Sequence, residues 1–146
     1  MLVEIWRQAF ERSPVYELLL PVTPSNNVLR GMHYHEYRNL RRKWRDSVLQ
    51  ALRGQKPMRP LQRACLFIER RCSGGGLDWD NAYGGLKPLL DCLVLPTLRN
   101  PDGLGLIVDD NPENMPAPPL VSQQSTSPGK GSTLLKIFDI ANVNQS

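Results

Sequence analysis

The stretch HEYRNLRRKWRDSVLQALR (35–53) and the segment LQRACLFIERRC (61–72) that follows it carry two different periodicities. In the first, Tyr37, Leu40, Trp44, Val48 and Leu52 recur at steps of three and four. Arg38, Arg41, Arg42, Lys43 and Arg45 occupy the other faces, so the pattern predicts an amphipathic helix. Gly54 ends it, and Pro57 and Pro60 carry the connection. In the second segment Ala64, Leu66 and Ile68 alternate, which is the period of a strand with one buried face.

Toward the N-terminus, VYELLLPV (15–22) is rich in β-formers and reads as a strand ending at Pro21 and Pro24, with turn chemistry in PSNN (24–27). Leu2, Ile5, Trp6 and Phe10 stand at helical spacing before Ser13-Pro14, which predicts a peripheral helix within residues 1–13 or a partner contact. Toward the C-terminus, SGGG (73–76) breaks the second strand, and a helix is expected to start near Lys87 with Pro88 in its first turn. Leu89, Leu90, Leu93 and Val94 supply its buried face, and Pro96 and RNPDG (99–103) close it. LGLIVDD (104–110) is a short apolar segment delivering two aspartates to a turn, and NPENMPAPP (111–119) is loop. LVSQQ (120–124) and TLLKIFDI (133–140) are two further strands. STSPGKG (125–131) suits a hairpin between them, with Gly129 or Gly131 at positive φ. Residues 141–146 are expected to be a frayed tail. The expectation is one α+β domain spanning 1–146: a mixed sheet of about four strands with two main helices packed on it.

Bulk properties agree with one globular domain. The chain has 146 residues, 40% of them apolar and 22% charged, which argues against intrinsic disorder. The net charge of +4 is unevenly spread: residues 1–60 hold eleven Lys/Arg against five Asp/Glu, and residues 61–146 hold seven against nine. A basic half beside an acidic half suits a surface that grips a polyanion next to one that holds cations, although solvated charged faces give the same asymmetry. Cys65, Cys72 and Cys92 form no C-x-x-C pair, which argues against a disulfide framework or a zinc knuckle and for small buried hydrophobes in a reducing compartment. The first residues lack the pattern of a signal peptide, and no apolar run approaches a membrane span. A cytoplasmic protein without membrane partners is therefore expected.

Chemistry concentrates in two acidic pairs. Asp78 and Asp80 follow the Gly-rich loop, and on extended backbone both would lie on one face, where their repulsion is relieved by a shared cation such as Mg²⁺. Asp109 and Asp110 end the second apolar stretch, and the competing reading is an Asp-rich turn before Asn111-Pro112. Three or four such acids are what a two-metal phosphodiester site requires. The basic helix supplies Arg38, Arg41, Arg42, Lys43 and Arg45 for backbone phosphates. His33 and His35 read as phosphate-facing or ordinary surface residues, with a general base or a metal pair as the other option. Trp44 belongs to the apolar stripe, whereas Trp79 points away from the proposed metals and is free to pack or to contact a base. Asn26 and Asn27 stabilise a turn or face DNA.

In order and spacing these segments resemble the RusA family of Holliday-junction resolvases, endonucleases common in phages and prophages. PSNN (24–27) before a basic helix, DWDN (78–81), KPLLDCL (87–93) and LIVDDN (106–111) are each similar to a family motif, and together they span most of the chain. The resemblance implies that Asp78, Asp80 and Asp110 bind Mg²⁺, with Mn²⁺ able to substitute, and that Lys87 approaches the phosphate or the leaving oxygen. Asp109 and Asp91 are secondary helpers in this scheme. It also implies a homodimer acting on four-way junctions or other branched DNA in a bacterial or phage-infected cell. One departure stands out: Lys87 lies seven residues beyond Asp80 where the family places its lysine four beyond, as though AYGGL (82–86) replaced a two-residue step. That displacement keeps a second reading open, a catalytically inactive branched-DNA-binding module of the same fold.

Overall fold

A computed structural model describes residues 2–55 and 59–141; Pro57 of the predicted connection and residues 142–146 of the predicted tail lie outside the described residues. The elements are α1 (Leu2–Phe10), β1 (Tyr16–Leu20), α2 (Asn26–Arg30), α3 (Tyr34–Leu52), β2 (Ala64–Cys72), α4 (Trp79–Gly84), α5 (Lys87–Leu93), β3 (Leu120–Ser125) and β4 (Ser132–Asp139). The class is α+β, with one mixed four-stranded sheet in the order β1-β4-β2-β3. β4 runs antiparallel to both β1 and β2, while β3 runs parallel to β2.

The order corrects the expected hairpin: β3 and β4 lie on opposite edges of β2. The link through residues 126–131 must therefore step across two strand spacings, about 9–10 Å, which a two-residue turn does not reach. Gly129 takes the positive φ of 82° that the turn needs.

Alternation along the strands sorts the core into two layers. Leu18, Leu20, Leu66, Ile68, Leu135 and Ile137 face one side, where Trp44, Val48 and Leu52 of α3 and Leu89 and Leu93 of α5 cover them. The helix read from 35–53 and the helix begun at Lys87 with Pro88 in its first turn are thus the two that close this face. Cys65, Phe67 and Phe138 face the other side, joined by Ile140 just beyond β4. α1, expected to be peripheral, covers that face: Ala9, Ile5 and Trp6 pack there, and Phe10 meets Phe67 and Phe138 edge-on at centroid distances of 6.0 and 5.5 Å. Cys65 and Cys92 are buried as expected, and burial pushes their thiols up to about 11 and about 12; Cys72 is only half-buried. Among the described residues no helix is long and apolar enough to cross a membrane.

Residues 73–119 connect the parallel neighbours β2 and β3, and everything acidic in the candidate site sits on this crossover. Its second half has no regular element but is stitched to the core. The Leu61 amide donates to the Leu106 carbonyl at 2.9 Å, and the amides of Ile107 and Val108 donate to the carbonyls of Leu93 and Leu61, each at 3.0 Å. Leu106 and Ile107 are fully buried, which fixes where the following aspartates emerge.

Candidate functional site

The DWD segment is not extended. Asp78 is the N-cap position of α4, and Asp80 stands in its first turn, so the two carboxylates splay around a helix start instead of sharing a strand face. Both are exposed. The reason lies partly in what precedes them: the Gln123 side chain on β3 accepts from the Leu77 amide at 2.8 Å and donates to the Leu77 carbonyl at 2.9 Å. That two-bond clamp imitates one rung of a β-ladder and stops the extended chain one residue before Asp78. Nothing in the sequence pattern marks Gln123 for this role; only the parallel register of β3 on β2 brings it there.

PSNN is likewise more than a turn. Ser25 caps α2, with its Oγ accepting from the Val28 amide at 3.4 Å, and the segment lies against the C-terminal end of α4. A Cβ on Gly85 would stand 1.8 Å from the Pro24 carbonyl oxygen, and one on Gly84 would stand 2.4 Å from Cγ of Asn26. Only glycine permits that approach, so the Gly-Gly of AYGGL is what lets α4 dock on α2. Asn26 is half-buried at this contact, while Asn27 is exposed.

Lys87, at the start of α5, places its Nζ 3.6 Å from Asp91 and 5.9 Å from the centroid of the Tyr37 ring. The Tyr37 hydroxyl donates to the same Asp91 Oδ2 at 2.5 Å, and Asn100 donates to the Asp91 carbonyl at 2.7 Å. Burial, followed by the hydrogen bond to Asp91, pushes the Tyr37 phenol far above its ordinary value, so it remains a proton donor at any working pH. Sequence reasoning placed Tyr37 in the apolar stripe and missed this use of its hydroxyl. The helical spacing of Lys87 and Asp91, four residues apart, was the available signal.

Asp109 and Asp110 emerge from the buried Leu106-Ile107 stretch. One Asp109 oxygen accepts from the Asp110 amide at 2.8 Å and the other from the Asn111 side chain at 3.3 Å, so Asp109 shapes the turn. The Asp110 carboxyl is held above the usual range by desolvation, by its hydrogen bond with Asp109, and by the charges of Asp109 and Asp91. The Ile107 amide, donating to the Leu93 carbonyl at 3.0 Å, is what brings the second aspartate pair beside the end of α5. A carboxyl whose folded pKa exceeds its unfolded one costs no stability at pH below the unfolded value of about 4, where both states are protonated. The cost appears as pH rises above that value. Asp110→Asn is therefore expected to raise the melting temperature near pH 7 and to leave it unchanged near pH 3, measured by circular dichroism; equal melting of the two proteins at both pH values would contradict the crowding.

Of the basic residues expected on DNA, Arg42 and Lys43 are exposed and Arg38 and Arg45 partly so. Arg41 differs. It points into the core, 4% exposed, and its Nε donates to Asp102 Oδ2 at 2.8 Å. Asp102, read from the sequence as part of a closing turn, is its buried partner. His33 occupies the N-cap position of α3 without a side-chain cap bond, and His35 is exposed beside Tyr34.

Among the described residues no group of three or more Asp, Glu, His or Cys side chains is arranged to hold a metal ion. Mg²⁺, however, is commonly held by one or two carboxylates, with water and substrate phosphate oxygens completing its octahedron. Asp78, Asp80, Asp109 and Asp110 offer oxygen donors of the kind such a cation takes. No family profile matches the chain, and no curated protein matches it.

Proposed function

We propose that this chain is a Mg²⁺-dependent, structure-selective DNA endonuclease of the RusA type, acting on four-way junctions or related branched DNA as a homodimer. The observation that supports the reading is that four segments resembling one family's motifs, scattered from residue 24 to residue 111, lie on neighbouring elements of the fold. PSNN touches the end of α4, α4 is followed directly by α5, Tyr37 of the basic helix bonds Asp91 of α5, and the Ile107 amide donates to the Leu93 carbonyl at the end of α5. Asp78, Asp80 and Asp110 would hold the ions, which when bound supply an activated water and neutralise the departing oxygen. Asp91 and Tyr37 hold the Lys87 ammonium in place, where it meets negative charge on the phosphate. Arg42, Lys43, Arg38 and Arg45 grip backbone phosphates, a contact that carries affinity without reading sequence. Two sites related by two-fold symmetry suit a junction that is itself nearly two-fold.

Purified protein incubated with a synthetic four-way junction and Mg²⁺ is expected to give paired, religatable nicks. Equal cutting of linear duplex would remove the junction preference, and no cutting in Mg²⁺ or Mn²⁺ would remove the nuclease. Binding has its own readout. Mg²⁺ should raise the melting temperature of the wild type more than that of Asp110→Asn. The inactive branched-DNA-binding module is favoured by the displaced Lys87, already engaged with Asp91. It predicts salt-dependent junction binding with no cleavage.

A further inference from the structure

We propose that Trp79 and Tyr83 form a stacking platform for an unpaired DNA base, which would give the site its preference for branch points over continuous duplex. This rests on the nuclease reading and adds the chemical feature of the substrate that is recognised. The two residues stand four apart on α4 and so share one face, with ring centroids 6.4 Å apart and planes at 53°. Trp79 is 57% exposed and Tyr83 40% exposed.

The exposure does not come from a loose helix. Ala82 is 2% exposed, Leu77 is clamped by Gln123 just before the helix, and Gly84 and Gly85 press on Asn26 and Pro24 just after it. α4 is thus anchored at both ends with its aromatic face turned outward. Folding alone gains nothing from that orientation, because large aromatics stabilise by being buried. Single exposed apolar residues are ordinary, but two adjacent rings beside a proposed ligand make a patch. Asp80 lies about 100° round the helix from Trp79, close enough for a base on the indole to bring its own phosphate toward the acids.

Charge decides what such a patch would receive. Lys87 follows Tyr83 by four residues and is 66% exposed at its side chain, a cation suited to backbone phosphate. A second aromatic and cationic group stands at the start of α3, the helix whose Tyr37 meets Lys87. There Tyr34 is 64% exposed, its ring is 6.1 Å from His35, and the Arg38 guanidinium lies 5.6 Å over it. Flat π faces interleaved with cations are the chemistry of a nucleotide with its base out of the stack. The tilt between Trp79 and Tyr83 excludes a sandwich between them, so the base takes the open indole face with Tyr83 at its edge. Bases inside a duplex are already stacked and have no free face to offer.

The test uses metal-free buffer with chelator, so that binding is read without cleavage, and a four-way junction carrying 2-aminopurine at the branch beside a linear duplex of equal length. Trp79→Ala is expected to weaken junction binding by about 5- to 100-fold, to abolish the fluorescence change of the branch-point base, and to leave duplex affinity and the salt slope unchanged. Trp79→Phe should restore most of the junction affinity, and unchanged melting of both variants checks the fold. Equal weakening on both DNAs, or none on either, overturns the platform while the wild type's own junction binding keeps the nuclease reading alive. Wild-type protein that binds neither DNA overturns both. If Trp79→Ala instead converts a dimer to monomers in sedimentation with junction affinity intact, the face is an interface between copies and the platform is lost.

Discussion

Asp80→Asn is expected to lower Mg²⁺-dependent cleavage of a four-way junction by more than about 100-fold while the protein remains folded and still binds the DNA. Removing a group that merely orients a metal ligand typically costs about 10–100-fold, and removing the ligand's own charge should cost at least that much. Asp80 is exposed in the first turn of α4, so exchanging its carboxylate for an amide of the same size leaves packing untouched. Initial nicking rates at saturating enzyme, with gel-shift affinity in the absence of metal, separate the two effects. Cleavage that survives within a few-fold would dismiss Asp80 from the chemistry, and a parallel loss of binding would make it a DNA contact instead of a ligand.

The largest stability effect should come from a residue with no part in the reaction. Asp102→Ala strands the Arg41 guanidinium in the core, where removal of one partner of a buried ion pair typically costs about 3–5 kcal/mol. The two side chains are 11% and 5% exposed, so little water reaches the orphaned charge. Burial alone would disfavour the charged guanidinium, and the hydrogen bond and charge of Asp102 more than offset it. A loss of that size corresponds to a melting temperature lower by roughly 10–15 °C for a domain of this length. Replacing both partners with apolar residues of similar volume, Arg41→Met with Asp102→Leu, should recover most of the loss. A single variant that melts within a degree or two of wild type would show that the pair contributes nothing net.

The four strands and the helices α1, α3 and α5 were legible because each rests on local pattern, whereas α2 was read as a turn and α4 as extended chain. The stripe from Tyr37 to Leu52 and the alternation in Ala64, Leu66 and Ile68 needed no tertiary information. Strand order was not legible: STSPGKG has good turn chemistry, and nothing local says that β2 intervenes between the strands it joins. Much of the site was readable as residue types. Its geometry was less so, since Trp79–Gly84 is too short for a helical period to declare itself and the D-x-D spacing reads equally well as strand. The basic helix shows the same limit. Five cations within eight residues look interchangeable until burial withdraws Arg41 from solvent, and the partner responsible lies sixty-one residues away.

The parallel pairing of β2 with β3 specifies where residues 73–119 depart from the sheet and where they return, and places no demand on how many residues travel between. Length changes at its exposed start, residues 73–76, are therefore thermodynamically cheap for the scaffold, since loop-closure entropy grows only logarithmically with length, whereas Leu86, Leu89, Leu93, Leu106 and Ile107 of the same excursion belong to the core. The same changes are felt at once by whatever the excursion carries. AYGGL is not such a point: Ala82 and Leu86 are buried, and its two glycines seat the chain against Asn26 and Pro24. A change of length confined to the exposed glycine turn moves Asp78 and Asp80 and leaves the sheet intact.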